Sequence, residues 1–270
     1  MPTPDQVREA VAGLDWWYHT LDLAPGVTTP GFFDCRPIAG RVPWPDLKGL
    51  RCLDVGTHDG FWAFEMEKRG AAEVVGVDLD DYARRDWPIE FREEGPAKIK
   101  EWGLEPGPGF RIAAEALGSK VKRVDMNIYD LSPDAVGTFD VVFIGSLLIH
   151  LRDPVKALEA VRSVTGGVLL LSEIIDAPLE VRAKNRPSAY LEGEGALHQW
   201  WKPNRAGLAQ MVRAAGFRVV SMSRLYIIPY GTGPMAHHNS PRDRFWNTLA
   251  THDRTDGVPH VGLKAEPRPL

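Results

Sequence analysis

From Leu50 to Leu225 the chain alternates short apolar runs with amphipathic stretches of helical period. Arg51 to Val55 is the first predicted strand. A helix follows over Phe61 to Arg69, with Phe61, Phe64 and Met66 turned inward and Gly70 as its stop. Glu73 to Asp78 is the second strand. Helical stretches are predicted over Ala97–Trp102 and Phe110–Leu117, on either side of the turn cluster Pro106-Gly107-Pro108-Gly109. Strand three covers Val121 to Asn127 or Ile128. Strand four, Phe139 to Ile144, is a continuous apolar run of the kind buried on both faces of a parallel sheet. Pro154, with Asp153 as cap, opens a helix that Gly166-Gly167 is expected to end. Strand five is Val168 to Glu173. A helix over Asn204–Ala215, stopped by Gly216, precedes strand six at Phe217–Leu225, and Val258–Glu266 completes the sheet as a hairpin partner.

Three segments break this rhythm. Asp5 to Tyr18 reads as an amphipathic helix, with Val7, Val11, Leu14 and Trp17 or Tyr18 at helical spacing. His19 to Pro45 is rich in Gly and Pro, but Leu21, Leu23, Phe32, Phe33 and Ile38 mark it as an ordered cap rather than a linker. Ile174 to Pro203 is polar, with Arg182, Lys184, Arg186, Glu192 and Glu194, and reads as an insertion over the carboxyl edge of the sheet. Alternating strands and helices predict a doubly wound sheet in one domain. Ligands of such sheets bind beyond the carboxyl ends of the strands. The division expected is a cap at 1–46 and a main domain at 47–270, with a substrate-covering insertion at about 174–203.

The densest chemistry lies in Leu53-Asp54-Val55-Gly56-Thr57-His58-Asp59-Gly60, followed by Val74-Val75-Gly76-Val77-Asp78. This is strand, glycine turn, helix, strand, acidic tip. The turn lets a ligand approach the backbone, and the carboxylate accepts hydrogen bonds from ribose hydroxyls. A dinucleotide fingerprint needs three glycines for a pyrophosphate. Here His58 holds the middle position, which leaves less room for one. A nucleoside without phosphates fits better, and S-adenosylmethionine (SAM) is the obvious choice.

Composition narrows the partners. The 270 residues carry a net charge of −4 and a pI near 6.1, which does not suggest a nucleic-acid binder. Cys35 and Cys52 show no metal spacing, and Cys52 sits in an apolar strand; a reducing cytoplasm is the default expectation. His237-His238 has no further ligand cluster, so no metal site is expected. No apolar run approaches the ~18 residues of a membrane helix, and Met1 to Asp5 lacks the features of a signal peptide. The nine tryptophans serve either helix-to-sheet packing or an aromatic-lined pocket, with Trp16, Trp17, Trp200 and Trp201 the candidates for the second role.

The order of several motifs resembles the class I SAM-dependent methyltransferases. They are Trp17-Tyr18-His19-Thr20-Leu21-Asp22-Leu23, Thr29-Pro30-Gly31, Cys52-Leu53-Asp54-Val55-Gly56, Phe139-Asp140-Val141-Val142, Ser146-Leu147-Leu148-Ile149-His150-Leu151-Arg152-Asp153-Pro154 and Ala215-Gly216-Phe217. The closest likeness is to the subgroup of tRNA wobble-uridine (carboxy)methyltransferases and its bacterial small-molecule relatives. The expected fold class is α/β: a Rossmann-like, doubly wound, seven-stranded, mostly parallel sheet with an N-terminal helical cap. The resemblance implies a SAM site. Gly56 and Thr57 would lie under the methionine part, and Asp54 would orient loop amides or meet the amino group through water. Asp78 would bind the ribose and Leu79 pack on adenine. Asn127, with Asp130 as a weaker alternative, and the Ile128 amide would meet the adenine edge, while Gly145 and Ser146 flank the methionine chain. His58 either donates to the SAM carboxylate or turns into solvent.

The candidate proton acceptors are His19, His150 and Glu173. Each has a plainer alternative: a cap hydrogen bond for His19, a helix-facing position for His150, a nearby amide for Glu173. Tyr18, Tyr190, Trp17, Trp200 and Trp201 are the expected substrate contacts. The first functional reading is methyl transfer to a small organic acceptor, such as an aromatic specialised metabolite. A tRNA-modifying enzyme is the alternative, and a non-catalytic SAM-binding protein the second alternative. A carboxylated SAM needs a cation near the transferred carbon; the sequence identifies none, so plain SAM is preferred.

Overall fold

A computed structural model describes residues 1–101, 107–192, 199–234 and 238–269. The sequence expectations attached to Trp102, Glu194 and His237 lie outside the described residues.

The main sheet is built from β1 (Arg51–Val55), β2 (Glu73–Asp78), β3 (Lys122–Asp125), β4 (Phe139–Gly145), β5 (Thr165–Ile174), β6 (Phe217–Met222), β7 (Tyr226–Pro229) and β8 (Gly257–Pro267). Seven strands run in the order β6-β8-β5-β4-β1-β2-β3, and β7 joins as an eighth beside β8. β1 to β5 are mutually parallel, while β8 is antiparallel to β5, β6 and β7. The 11 residues of β8 hold β7 along the first part and β6 along the rest. The mixed α/β, mostly parallel architecture expected from the alternation is the one observed.

Two apolar clusters cover the faces of this sheet, as the continuous apolar runs require. On one side Cys52, Val74, Val141, Phe143 and Leu170 meet the helix Phe61–Lys68, which buries Phe61, Phe64 and Met66 as expected. On the other, Leu53, Val75, Val142 and Leu169 pack on Ala157, Leu158 and Val161 of the helix Pro154–Val164. That helix begins as the sequence suggests: Asp153 accepts the Lys156 amide at 2.9 Å, and Pro154 fills a position whose amide has no helical partner. Among the described residues no helix is long and apolar enough to cross a membrane.

Three expectations are corrected. The first helix covers only Pro4–Ala12, closed by a Thr3 capping box at its start; Trp17–His19 is instead a strand, paired in parallel with Gly31–Phe33. The N-terminal cap is therefore one helix followed by short strands, including the pair Asp22–Ala24 and Val27–Thr28. Gly166-Gly167 does not end a helix outside the sheet; both residues belong to β5. A Cβ on Gly167 would lie 2.3 Å from the Asp140 carbonyl oxygen, so the glycine permits a close approach of two strands. Strand six ends at Met222, and the apolar residues after it form the separate β7.

Candidate active site

The turn after β1 is sewn to β2. The Gly56 and Thr57 amides donate to the Val77 carbonyl at 2.8 and 3.1 Å. The His58 amide donates to an oxygen of Asp78 at 2.7 Å, and the Leu79 amide to its other oxygen at 2.7 Å. Gly56 has a φ of 78°, and a Cβ there would sit 3.1 Å from the Leu147 side chain. The turn thus keeps a bare backbone crest beside an acidic tip. Each Asp78 oxygen accepts one amide and retains a further lone pair for a ligand hydroxyl.

This turn faces an open cleft of about 920 Å³, mouth included. Val55, Gly56, His58, Asp78, Leu79, Asn127, Ile128, Gly145, Ser146 and His150 all line it, so eight of the ten residues expected at a nucleoside site converge with one expected proton acceptor. Asp54 and Thr57 do not line it. Both are 1% exposed and lie beneath the turn, where burial pushes the Asp54 carboxyl up to about 7. Asn127 caps the short turn Ile128–Asp130, its side-chain oxygen accepting the Tyr129 amide at 3.1 Å and keeping a second lone pair. Asp130 is exposed and outside the lining.

His58 stands in the cleft wall rather than in open solvent. Its φ is 50°, and its ring stacks on Tyr18 at 4.8 Å and meets Trp16 edge-on at 5.1 Å. Burial lowers the imidazole to about 4 and keeps it neutral. Tyr18, an expected substrate contact, lines the cleft beside it.

Two of the three expected proton acceptors are placed away from the cleft. His19 is 4% exposed and paired through Nδ1 with Asp59. Burial pulls its imidazole down, but the Asp59 charge and hydrogen bond outweigh that and raise it to about 10. A histidine already charged accepts no proton. Glu173 is 1% exposed, and its Oε1 accepts the Leu147 and Leu148 amides at 3.0 and 3.2 Å. Burial pushes it up to about 8, against the pull of those amides. It supports the loop after β4 rather than a substrate. His150 alone of the three lines the cleft.

Four expected substrate contacts also move. Trp17 is 1% exposed and donates from Nε1 to the Val11 carbonyl, because alternation along its strand turns it into the core. Tyr190 is exposed on the strand Ala189–Leu191, outside the lining. Trp200 and Trp201 brace the rim instead: the Trp200 Nε1 donates to the Asp86 carbonyl at 2.6 Å, and the Trp201 Nε1 to the Arg152 carbonyl at 3.1 Å.

Sequence reasoning missed Arg85 and Asp86 on the cleft wall, Asp59 behind it and His260 beneath it. Arg85 is a cation in the lining, of the kind the sequence did not identify; its guanidinium lies 3.2 Å over the Tyr82 ring. A histidine inside an apolar final strand was the one signal for His260. Among the described residues no group of three His, Cys, Asp or Glu side chains is placed to hold a metal, and His238 instead faces Asp256 at 3.1 Å.

The residues 35–222 match a family described as a methyltransferase domain. Curated relatives include the tRNA U34 carboxymethyltransferase of Pseudomonas putida (strain GB-1), 28% identical over 222 residues, or 80% of this chain and 60% of that protein. That of Helicobacter pylori (strain Shi470) is 27% identical over 57% of this chain and 55% of that protein. The chain thus spans about 60% of the length of such relatives. Among solved structures, the N-terminal domain of EvdMO1 with S-adenosylhomocysteine (SAH) bound superposes with a TM-score of 0.60 at 15% identity, covering 99% of this chain and 98% of that one. The Burkholderia thailandensis 1,6-didemethyltoxoflavin-N1-methyltransferase gives 0.53 at 17% identity, covering 87% and 78%. These likenesses carry the fold.

Proposed function

Because the chain belongs to the methyltransferase-domain family, whose donor is SAM, we propose that it transfers a methyl group from SAM to a small organic acceptor. The observation that carries the donor site is the convergence of the Gly56 crest, the Asp78 carboxylate and the Gly145–Ser146 corner on one cleft. The residues fit the donor: Asp78 for the ribose hydroxyls, Leu79 and Ile128 for the adenine faces, Asn127 for its edge, and Gly56 for close passage of the amino-acid arm. The bound donor supplies a methyl already activated by its positive sulfur. The protein's part is then to align, and to receive a proton where the acceptor carries one.

A small acceptor is supported by the state of three arginines outside the cleft lining. Arg84 is held by Asp125 at 2.7 Å, Arg123 is paired with Asp80, and Arg152 lies 4.7 Å over the Trp200 ring. Cations already engaged compete poorly for phosphates. The second reading, modification of a tRNA wobble uridine, is favoured by the printed names of the curated relatives. It also draws on Arg85, a cation able to meet a carboxylated donor.

The test is calorimetric titration with SAH, followed by turnover of a panel of phenols and nitrogen heterocycles with methyl-labelled SAM. Bulk tRNA binding across salt separates the two acceptors. A protein gripping several RNA phosphates loses affinity steeply, with a slope of about −0.7 per contact on logarithmic axes. Salt-insensitive turnover of a panel compound supports the first reading; steep, tight tRNA binding supports the second.

A further inference from the structure

The cleft has a hydrogen-bond polarity fixed from behind. His260, in β8, is fully buried. Its Nδ1 lies 2.9 Å from the Val258 carbonyl oxygen. A carbonyl only accepts, so Nδ1 carries the hydrogen and Nε2 is a bare acceptor. Nε2 lies 2.8 Å from the Ser146 hydroxyl, which must therefore donate to it. Burial holds the imidazole down at about 4, so this neutral tautomer persists at neutral pH. The Tyr226 ring stacks beside it at 6.3 Å, its own hydroxyl bonded to Ser172 at 2.8 Å. Ser146 Oγ has spent its hydrogen and offers the cleft only lone pairs.

The backbone at this point is also unusual. Ser146 has a φ of 53°, a left-handed conformation that disfavours any side chain. A glycine would relieve it, yet a hydroxyl is held there, in the wall of the cleft. Backbone strain kept at a site wall is where function is sought. The corner follows β4, the strand next to β1. A nucleoside held at the tip of β2, with its arm across the end of β1, brings its transferable methyl toward this corner.

We propose that Ser146 receives the hydrogen of the atom being methylated, with His260 as relay behind it, so that the acceptor attacks through an O–H or N–H. This rests on the methyl-transfer reading above and narrows its acceptor class. The acceptor lone pair forms the new bond to the methyl carbon as the carbon–sulfur bond breaks, its electron pair staying on sulfur. The acceptor's proton passes to Ser146 Oγ while the serine's own proton passes to His260 Nε2. The donor's positive charge disappears as the imidazolium forms, so the net charge of the cleft is unchanged until the proton leaves to water. A weak base suffices for an oxygen or an amide-type nitrogen, because such an atom is strongly acidic once it has gained a methyl while keeping its hydrogen. Ser146 is a catalytic residue in this scheme, and His260 a positioning and relay residue.

The test needs no acceptor. Sinefungin carries a primary amine where SAM carries its sulfonium methyl, so its N–H groups occupy the place of the transferred group. Calorimetry on the full chain compares its affinity with that of SAH. The wild type is expected to prefer sinefungin by about tenfold or more, as for a hydrogen bond to a charged group. Ser146→Gly suits the left-handed backbone and so removes the hydroxyl without strain. It should bring the ratio close to one, with SAH affinity measured on the same variant as the reference. His260→Leu releases the serine hydrogen and should lower the ratio as well; if that variant fails to fold, Ser146→Gly still decides. An unchanged ratio in Ser146→Gly overturns the proposal. Equal loss of both ligands also overturns it, since Ser146 would then hold the amino-acid arm. A wild type that binds neither ligand overturns the donor reading itself.

Discussion

Asp59 and His19 form a buried ion pair that fastens the N-terminal segment to the glycine turn. One Asp59 oxygen accepts the Tyr18 and His19 amides at 2.9 and 2.8 Å, and the other meets His19 Nδ1. The carboxylate therefore sets where Tyr18 stands, stacked against His58 on the cleft wall. Cap and turn are joined through Asp59, a residue of the glycine-turn stretch to which the sequence reading gives no role of its own.

Breaking this pair should be costly. Asp59→Asn leaves His19 without its counter-charge, and removing one partner of a buried pair costs about 3–5 kcal/mol. The pH dependence has two limits. His19 is raised to about 10, so its contribution is complete below its ordinary value of 6.5 and fades as pH climbs toward 10. Asp59 is buried, yet the His19 charge and hydrogen bond hold it below its ordinary 3.8, so its contribution is lost only in stronger acid. Urea midpoints measured from neutral to alkaline pH should converge for wild type and Asp59→Asn. A gap that stays constant across that range contradicts the assignment.

Asp78→Ala should weaken SAH binding by well over tenfold, since hydrogen bonds to a charged group are worth roughly 1.5–3 kcal/mol. The structure adds a second loss: the variant also frees the His58 and Leu79 amides, which loosens the turn. Asp78→Asn keeps one carbonyl acceptor and should fall between the two. Calorimetry with circular dichroism as a folding control measures this. Unchanged affinity in a folded Asp78→Ala protein places the ribose elsewhere.

The sequence made local features legible and hid those set by distant contacts. β1 and β2 match their predicted bounds, because each is an apolar run closed by a turn and buried on both faces. The Asp153–Pro154 helix start was equally readable, since cap and donor lie three residues apart. The spacing of Trp17 from Val11 and Leu14 suits a helix; its parallel pairing with Gly31 overrides that local signal. Gly167 looks like a helix stop in the sequence, because nothing local reveals the Asp140 carbonyl against it. Ser146 and His260 lie 114 residues apart, so no local pattern could join them. His19 and Glu173 are chemically able groups at the right edge, and the fold buries both.

Trp200 should act on the rim through Asp86. Trp200 Nε1 holds the Asp86 carbonyl, while the Asp86 carboxylate accepts the Tyr129 hydroxyl at 2.6 Å and the Arg152 amide at 2.8 Å. Trp200→Phe deletes one donor at a cost of about 1–3 kcal/mol, felt locally. Amide exchange over residues 82–91 should quicken, with SAH affinity changed by less than about threefold. A large loss of SAH affinity with unaltered exchange would instead make Trp200 a direct ligand contact.

Glu173→Gln should stabilise the protein at alkaline pH. Buried, the Glu173 carboxyl holds its proton up to about 8, against 4.5 when unfolded. Between those values the folded chain binds more protons than the unfolded one, so stability falls as pH rises through the window and levels off above it. Glutamine is nearly the same shape, keeps an oxygen for the Leu147 and Leu148 amides, and has no proton to lose. The melting temperature of the variant relative to wild type should therefore climb from about pH 5 to about pH 8, with each kcal/mol worth roughly 2–4 °C in a chain of this size. A difference that does not change with pH would show that Glu173 is ionised in the fold. The carboxylate would then again be a contender for proton transfer beside His150.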